Sequence, residues 1–328
     1  MITSTPILVR AATSPALDTL PRAPISPAIP STGRPPRKRK VKLPIILFAA
    51  TCLSTFFVGM SSWDFLAMLT EPVKMLREHS GQGAAYMLAV MGILLAHEMG
   101  HFLQAVRYGV PASLPFFIPL PITPLGTMGA IIALGGSQAD RKELFDIGLT
   151  GPLAGLAIAL PLTCLGLLTA TPFPASSDAS LGGMHFGDPL IFKILVAWLR
   201  PDVPPDSRLI VYANPLVVAG WVGMLVTGLN MLPIGQLDGG HVVYALLGKR
   251  AHWVARAMVV MTILFVVLAK QYGWLVMLTL VVVLGIKHPP TADDRVELGR
   301  KRTILGWLSL LIPIFCFPPV PLIPTEPL

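Results

Sequence analysis

The chain has 328 residues, of which 53% are hydrophobic and only 13% charged, with a formal net charge of +8 at pH 7. Soluble domains carry about a quarter of their residues as charge, so this composition, with a mean hydropathy of +0.69, excludes a soluble chain and points to a lipid bilayer as its solvent. The basic residues stand beside the apolar runs, so membrane orientation accounts for the charge and no nucleic-acid partner is expected.

Residues 1–43 are rich in Pro, Ser and Thr and end in "RPPRKRKVK". They show no apolar period and no signal-peptide core, and a disordered cytoplasmic tail is expected. Candidate membrane spans follow at about 44–60, 84–106, 147–171, 209–232, 254–269, 272–286 and 303–320. Pro313, Pro318 and Pro319 interrupt the last of these. The expected organisation is a tail (1–43), a transmembrane domain (44–302) and a weak C-terminal span with its tail (303–328).

Between the second and third spans lies "VPASLPFFIPLPITPLGTMGAIIALG", residues 110–135. It is apolar, but five prolines (Pro111, Pro115, Pro119, Pro121 and Pro124) forbid a regular helix. Non-helical backbone at membrane depth must be buried in protein or line a cavity. A re-entrant loop is therefore expected, and "GTMGAIIAL" has the Gly and β-branched content of a short hairpin. The fold class that results is an all-α polytopic membrane protein of six or seven transmembrane helices, with a re-entrant loop or short β-hairpin between the second and third.

Arg34, Arg37, Lys38, Arg39, Lys40 and Lys42 precede the first span, which puts the N-terminus in the cytoplasm. Alternation then places Arg141 and Lys142, Lys249 and Arg250, and the segment from Lys287 to Arg302 on the same side. A bacterial cell membrane is the expected location, with an organelle membrane as the alternative. The polar connection at about 172–208 contains "PLIFKILVAWLR", which reads as a short interfacial helix. Cys52, Cys164 and Cys316 have neither metal-ligand spacing nor a disulfide framework.

Chemistry concentrates in "LLAHEMGHFL", residues 94–103. His97 and His101 are i and i+4, so a helix stacks both imidazoles on one face, where they can bind one Zn²⁺. Glu98 adjoins the first ligand and can take a proton from a water at the metal. Burying three such groups in an apolar span is costly unless they hold something. A catalytic zinc needs a third protein ligand. The stretch "GLNMLPIGQLDGGHV", residues 228–242, offers Asp238, and by chemistry alone His241 competes with it. His252 and His288 read, with His241, as loop or interface residues. Gly151, Pro152 and Gly155 read as close helix packing.

"AHEMGH" in one apolar span and "NMLPIGQLDG" in another resemble the paired motifs of the site-2 protease family of intramembrane zinc metalloproteases. Asn230, Pro233, Asp238 and Gly239 match its second motif position for position. "GLTGPLAG", "GTMGAII" and "KHPPTADD" resemble its Gly-rich span, its embedded hairpin and a C-terminal feature of some members. The resemblance covers roughly residues 84–295 and is to a compact member without a PDZ or CBS domain. It implies one Zn²⁺ at His97, His101 and Asp238, with Glu98 as base and Asn230 holding substrate or the tetrahedral intermediate. It also implies cleavage of the transmembrane segments of single-span membrane proteins. Thr127 and Gly129 are candidate substrate-binding positions, by strand addition to the hairpin. The competing readings are a metal-binding membrane transporter, for which no internal repeat is visible, and a non-proteolytic membrane chaperone, against which Glu98 argues.

Overall fold

The computed structural model describes residues 41–61, 70–170, 184–202, 214–271, 288–318 and 322–324, with isolated positions between 274 and 286 and at 320. The expected tail over 1–43 lies almost wholly outside them, as does most of the expected span at 272–286.

The protein is helical and polytopic. The elements are α1 (Lys42–Met60), α2 (Pro72–Tyr108), β1 (Phe116–Leu120), β2 (Gly126–Ile131), α3 (Arg141–Thr169), β3 (Met184–Phe186), α4 (Leu190–Leu199), α5 (Pro215–Asn230), α6 (Asp238–Leu247), α7 (Ala251–Leu268), α8 (Gly299–Ser309), α9 (Ile312–Cys316) and β4 (Leu322–Pro324). Among the described residues, four helical runs are long and apolar enough to cross a membrane: α1, α2, α3, and α6 continued into α7. The stretch expected as a span at 209–232 holds α5, an apolar helix of 16 residues that is not among these four.

The expected span at 303–320 does not form one helix. The chain leaves helix after Ser309 and restarts at Ile312, with Pro313 in the first turn of α9, where a missing N–H is tolerated. It then pairs as β4 with β3, in antiparallel register from Met184↔Pro324 to Phe186↔Leu322.

Local chemistry sets the helix ends. Asp140 caps α3: its Oδ1 accepts from the amides of Lys142 and Glu143, while Glu143 Oε2 accepts from the Asp140 amide. Asn214 caps α5, ahead of Pro215. Gly109, left-handed at φ 70°, ends α2. The core lies where α2, α3 and α5 pack, around fully buried Tyr86, Leu167, Trp221 and Met224. Outward positions such as Leu53, Leu88 and Val267 stay exposed, as lipid contact allows. On α4, Phe192 is buried while Trp198 points outward, the amphipathic pattern expected of an interfacial helix.

The hairpin expected between the second and third spans is β1–β2, paired from Phe116↔Ile131 to Leu120↔Gly126 with an irregularity between Phe117 and Pro119. Ser54 of α1 donates to the Gly126 carbonyl at 2.6 Å, and Tyr86 of α2 donates to the Leu125 carbonyl at 2.9 Å. These bonds fix the hairpin against two spans. The segment after residue 287 is tied to the start of α3. Ala292 N donates to the Ala139 carbonyl at 2.8 Å, and Arg302 forks onto both oxygens of Asp146 at 2.8 and 2.9 Å.

Candidate active site

Helix α2 places His97 and His101 one turn apart, with ring centroids 5.0 Å from each other. Pro233 and the non-helical stretch after Asn230 turn the chain so that α6 starts at Asp238 against that face. His97 Nε2 lies 3.2 Å from Asp238 Oδ2, and His101 Nε2 lies 3.3 Å from Asp238 Oδ1. One donor atom from each of the three residues falls within 4.8 Å of the others. Two imidazole nitrogens and a carboxylate oxygen are a donor set that zinc takes while keeping a position open, so these residues fit the metal.

Helix α3 holds the imidazoles in place. His101 Nδ1 lies 2.8 Å from the Ile147 carbonyl. A carbonyl only accepts, so Nδ1 carries the hydrogen and Nε2 keeps its lone pair for a metal. The approach is possible because the facing residues on α3 lack side chains. A Cβ on Gly151 would stand 2.0 Å from His101 Nε2, and one on Gly155 would stand 3.1 Å from His97 Nδ1.

A cavity of about 200 Å³ opens on this group and is lined also by Glu98, Asn230 and His241. Glu98 is buried, 5% exposed, and makes no hydrogen bond among the described residues, so its carboxylate is available to a molecule in the cavity. Asn230 Nδ2 lies 3.2 Å from His97 Nε2. Every motif residue expected at the metal, the base and Asn230 is therefore gathered at one place.

Thr127 and Gly129 are placed differently. Thr127 is buried within the hairpin, donating to the Ile118 carbonyl and accepting from the Gly129 amide, each at 3.0 Å. Neither residue lines the cavity; the following residues Ala130, Ile131, Ile132 and Leu134 do. His241, the competing ligand, lines the cavity but stands outside the metal group, with Nδ1 2.6 Å from His288 Nε2. Sequence reasoning did not find the Ile147 carbonyl as the orienting partner of His101, because a backbone acceptor leaves no residue signal.

The family model for peptidase family M50 matches residues 85–270. The chain is 35% identical over 236 residues to "Probable zinc metalloprotease EGY1, chloroplastic" of Arabidopsis thaliana, covering 70% of this chain and 42% of that protein. It is 40% identical over 163 residues to the rice protein of the same name, covering 49% and 28%. With "Probable zinc metalloprotease EGY2, chloroplastic" of Arabidopsis thaliana it shares 31% over 193 residues, covering 58% and 32%. The chain thus spans less than half the length of these relatives. Their names place them in chloroplasts and give no support to the bacterial cell membrane expected from the sequence. No solved structure matches.

Proposed function

Because the chain belongs to peptidase family M50, we propose that it is an intramembrane zinc metalloprotease that cuts transmembrane segments of single-span membrane proteins. The observation that carries this reading is the meeting, in one cavity between apolar helices, of the His97–His101–Asp238 group with the carboxylate of Glu98, which makes no hydrogen bond among the described residues. Neither the transporter nor the chaperone reading accounts for that carboxylate.

His97, His101 and Asp238 would hold the zinc. Zinc in such a site acts as a Lewis acid that lowers the pKa of water and polarises a carbonyl. Glu98 takes the attacking water's proton on its carboxylate and later gives it to the leaving amine. Asn230 donates from Nδ2 to the substrate carbonyl oxygen as negative charge builds there. The cavity wall at Ala130–Ile132 offers extended backbone, against which a substrate strand can pair. The substrate helix must unwind first, since an intact helix hides its carbonyls in its own hydrogen bonds. Lys42, Arg141 and Lys249 stand at the starts of α1 and α3 and between α6 and α7, the positions that a common cytoplasmic face requires if α1, α2 and α3 cross in turn. We assign the membrane to an organelle rather than to a bacterial cell, following the names of the relatives.

The test is to incubate the zinc-loaded protein in detergent with a panel of membrane-segment peptides. Cleavage that vanishes with Glu98→Gln is expected. Absence of product from every peptide, at one zinc per chain, would count against the reading.

A further inference from the structure

His241 lines the catalytic cavity without belonging to the metal group. Its Nδ1 lies 2.6 Å from His288 Nε2, and His288 Nδ1 in turn lies 2.5 Å from the Pro289 carbonyl oxygen. The direction of both bonds follows from the far end of the chain of contacts. A carbonyl oxygen only accepts, so His288 Nδ1 carries the hydrogen. A neutral imidazole has one N–H, so His288 Nε2 is then an acceptor. Burial favours that neutral form and pushes the His288 pKa below its ordinary value. His241 Nδ1 must therefore be the donor, which leaves a lone pair on His241 Nε2. That nitrogen has no hydrogen-bond partner among the described residues.

The surroundings hold this arrangement firmly. The Tyr244 ring stacks on His288 with centroids 4.4 Å apart, and its hydroxyl donates to Asp294 at 3.0 Å. His252 Nε2 donates to the His288 carbonyl at 3.1 Å. The segment 288–294, carrying the "HPPTADD" motif, is thus fastened to α6 and α7 at the distance that brings His288 against His241.

An extended peptide entering the cavity must bury backbone N–H groups. The backbone at Ala130–Ile132 can serve the N–H groups on one edge of that peptide. For those on its other edge, His97, His101 and Asp238 are assigned to the metal, Glu98 to proton transfer and Asn230 to the carbonyl oxygen, while Ile234 and Leu237 are apolar in side chain, which leaves exposed Gln236 and His241. An N–H left without an acceptor in such a place weakens binding.

We propose that His241 Nε2 accepts a hydrogen bond from one backbone N–H of the substrate strand, and that His288 is the positioning residue that fixes the tautomer able to do so. The ligand is peptide backbone in extended form, recognised without regard to side chain. The proposal rests on the peptidase reading of the same cavity.

The test uses full-length, zinc-loaded Glu98→Gln protein in detergent. It reads the Kd of a fluorescent membrane-segment peptide in which successive amide N–H groups are replaced, one at a time, by ester oxygen. One position is expected to lose about threefold to tenfold in affinity. With His241→Phe added, that position becomes silent. His288→Phe, which keeps the stack on Tyr244 but offers no acceptor, reduces the effect, and His288→Gln, whose Oε1 can accept from His241 Nδ1, restores it. Zinc at one per chain in each variant shows that the metal site survives. Should a variant fail to fold, the ¹⁵N shifts of His241 in the unsubstituted protein still report the tautomer, which must be Nδ1–H.

A hydrogen on Nε2, an absence of peptide binding, or an ester series with no His241-dependent position would each overturn the proposal. Cleavage of the same peptides by the protein with Glu98 intact is scored separately. Cleavage without a His241-dependent position leaves the peptidase reading standing, whereas such a position without cleavage removes the peptidase reading alone.

Discussion

Nε2 of His97 and Oδ2 of Asp238 lie 3.2 Å apart although 141 positions of sequence separate them. The contact joins an apolar helix to the first residue of another, and it places Asp238 in the group that could hold the metal while His241 stands against His288. Asp238→Ala should lower zinc affinity by about a hundredfold or more, since even partners one shell further out are worth about 10- to 100-fold. His241→Ala should leave one zinc per chain. Metal analysis after dialysis against a zinc buffer decides it, and loss of zinc from His241→Ala alone would reverse the assignment.

Glu98→Gln should retain zinc and lose turnover by about 10²- to 10⁴-fold, the usual range for a general base. The amide keeps the shape of the side chain but cannot take a proton. Zinc content and initial rate are measured on the same preparation. Loss of both together would mean that Glu98 holds the metal.

Gly151→Ala should do more harm than Gly155→Ala. The added methyl would stand 2.0 Å from His101 Nε2 in the first case and 3.1 Å from His97 Nδ1 in the second. Overpacking of this kind costs about 1–3 kcal/mol, and at Gly151 it must also push the His101 imidazole away from His97 and Asp238. Zinc affinity should fall steeply for Gly151→Ala and slightly for Gly155→Ala, and thermal unfolding should follow the same order. Equal effects would argue against the helix contact as described.

Thr127→Val should loosen the hairpin without touching the metal. The substitution keeps the side chain's volume but strands the Gly129 amide and removes a donor from the Ile118 carbonyl. A cost of about 1–3 kcal/mol follows from burying an unpaired polar group. The unfolding midpoint should drop while zinc content stays constant.

The side from which water enters can be read with cysteine. Gly235 is a poor site for it, because φ is +55° and a Cβ would meet the Gly285 carbonyl at 2.3 Å. Gln236 is exposed and lines the cavity. In a protein lacking Cys52, Cys164 and Cys316, Gln236→Cys should react with a membrane-impermeant maleimide in vesicles that expose the side of Arg141 and Lys249. Labelling from the opposite side only would reverse the orientation.

The facing pair of imidazoles at the candidate site was legible because its spacing is local: four residues make one helical turn, so His97 and His101 share a face in any α-helix. Asp238 could be placed only through its motif, since chemistry left His241 equal to it. The structure places Asp238 beside His97 and His101 and His241 against His288, a pairing across 47 residues that no local period encodes. Helix α2 starts at Pro72, twelve residues before the expected span at 84. Lys74, Arg77 and Glu78 dilute the apolar signal there without stopping the helix. Thr127 was chosen for the hairpin's chemistry, but the irregularity at Phe117/Pro119 and the residue's own hydrogen bonds turn it inward, and the next residues face the cavity.

Helix α2 runs 37 residues, about 55 Å at 1.5 Å per residue, against a hydrocarbon core of about 30 Å. The excess belongs to its charged first turns, so the end at Arg107 lies near the other boundary. His97 is ten residues before Arg107, about 15 Å along the axis. In the proposed peptidase the helix would work as a depth gauge. A substrate strand crossing the same interval in extended form uses about five residues, at roughly 3.3 Å each. The severed bond should then lie about that far inside the substrate's own membrane boundary, whatever side chains it carries. Lengthening a substrate's apolar segment at its far end should leave the cut in place, while moving its near boundary should carry the cut along with it.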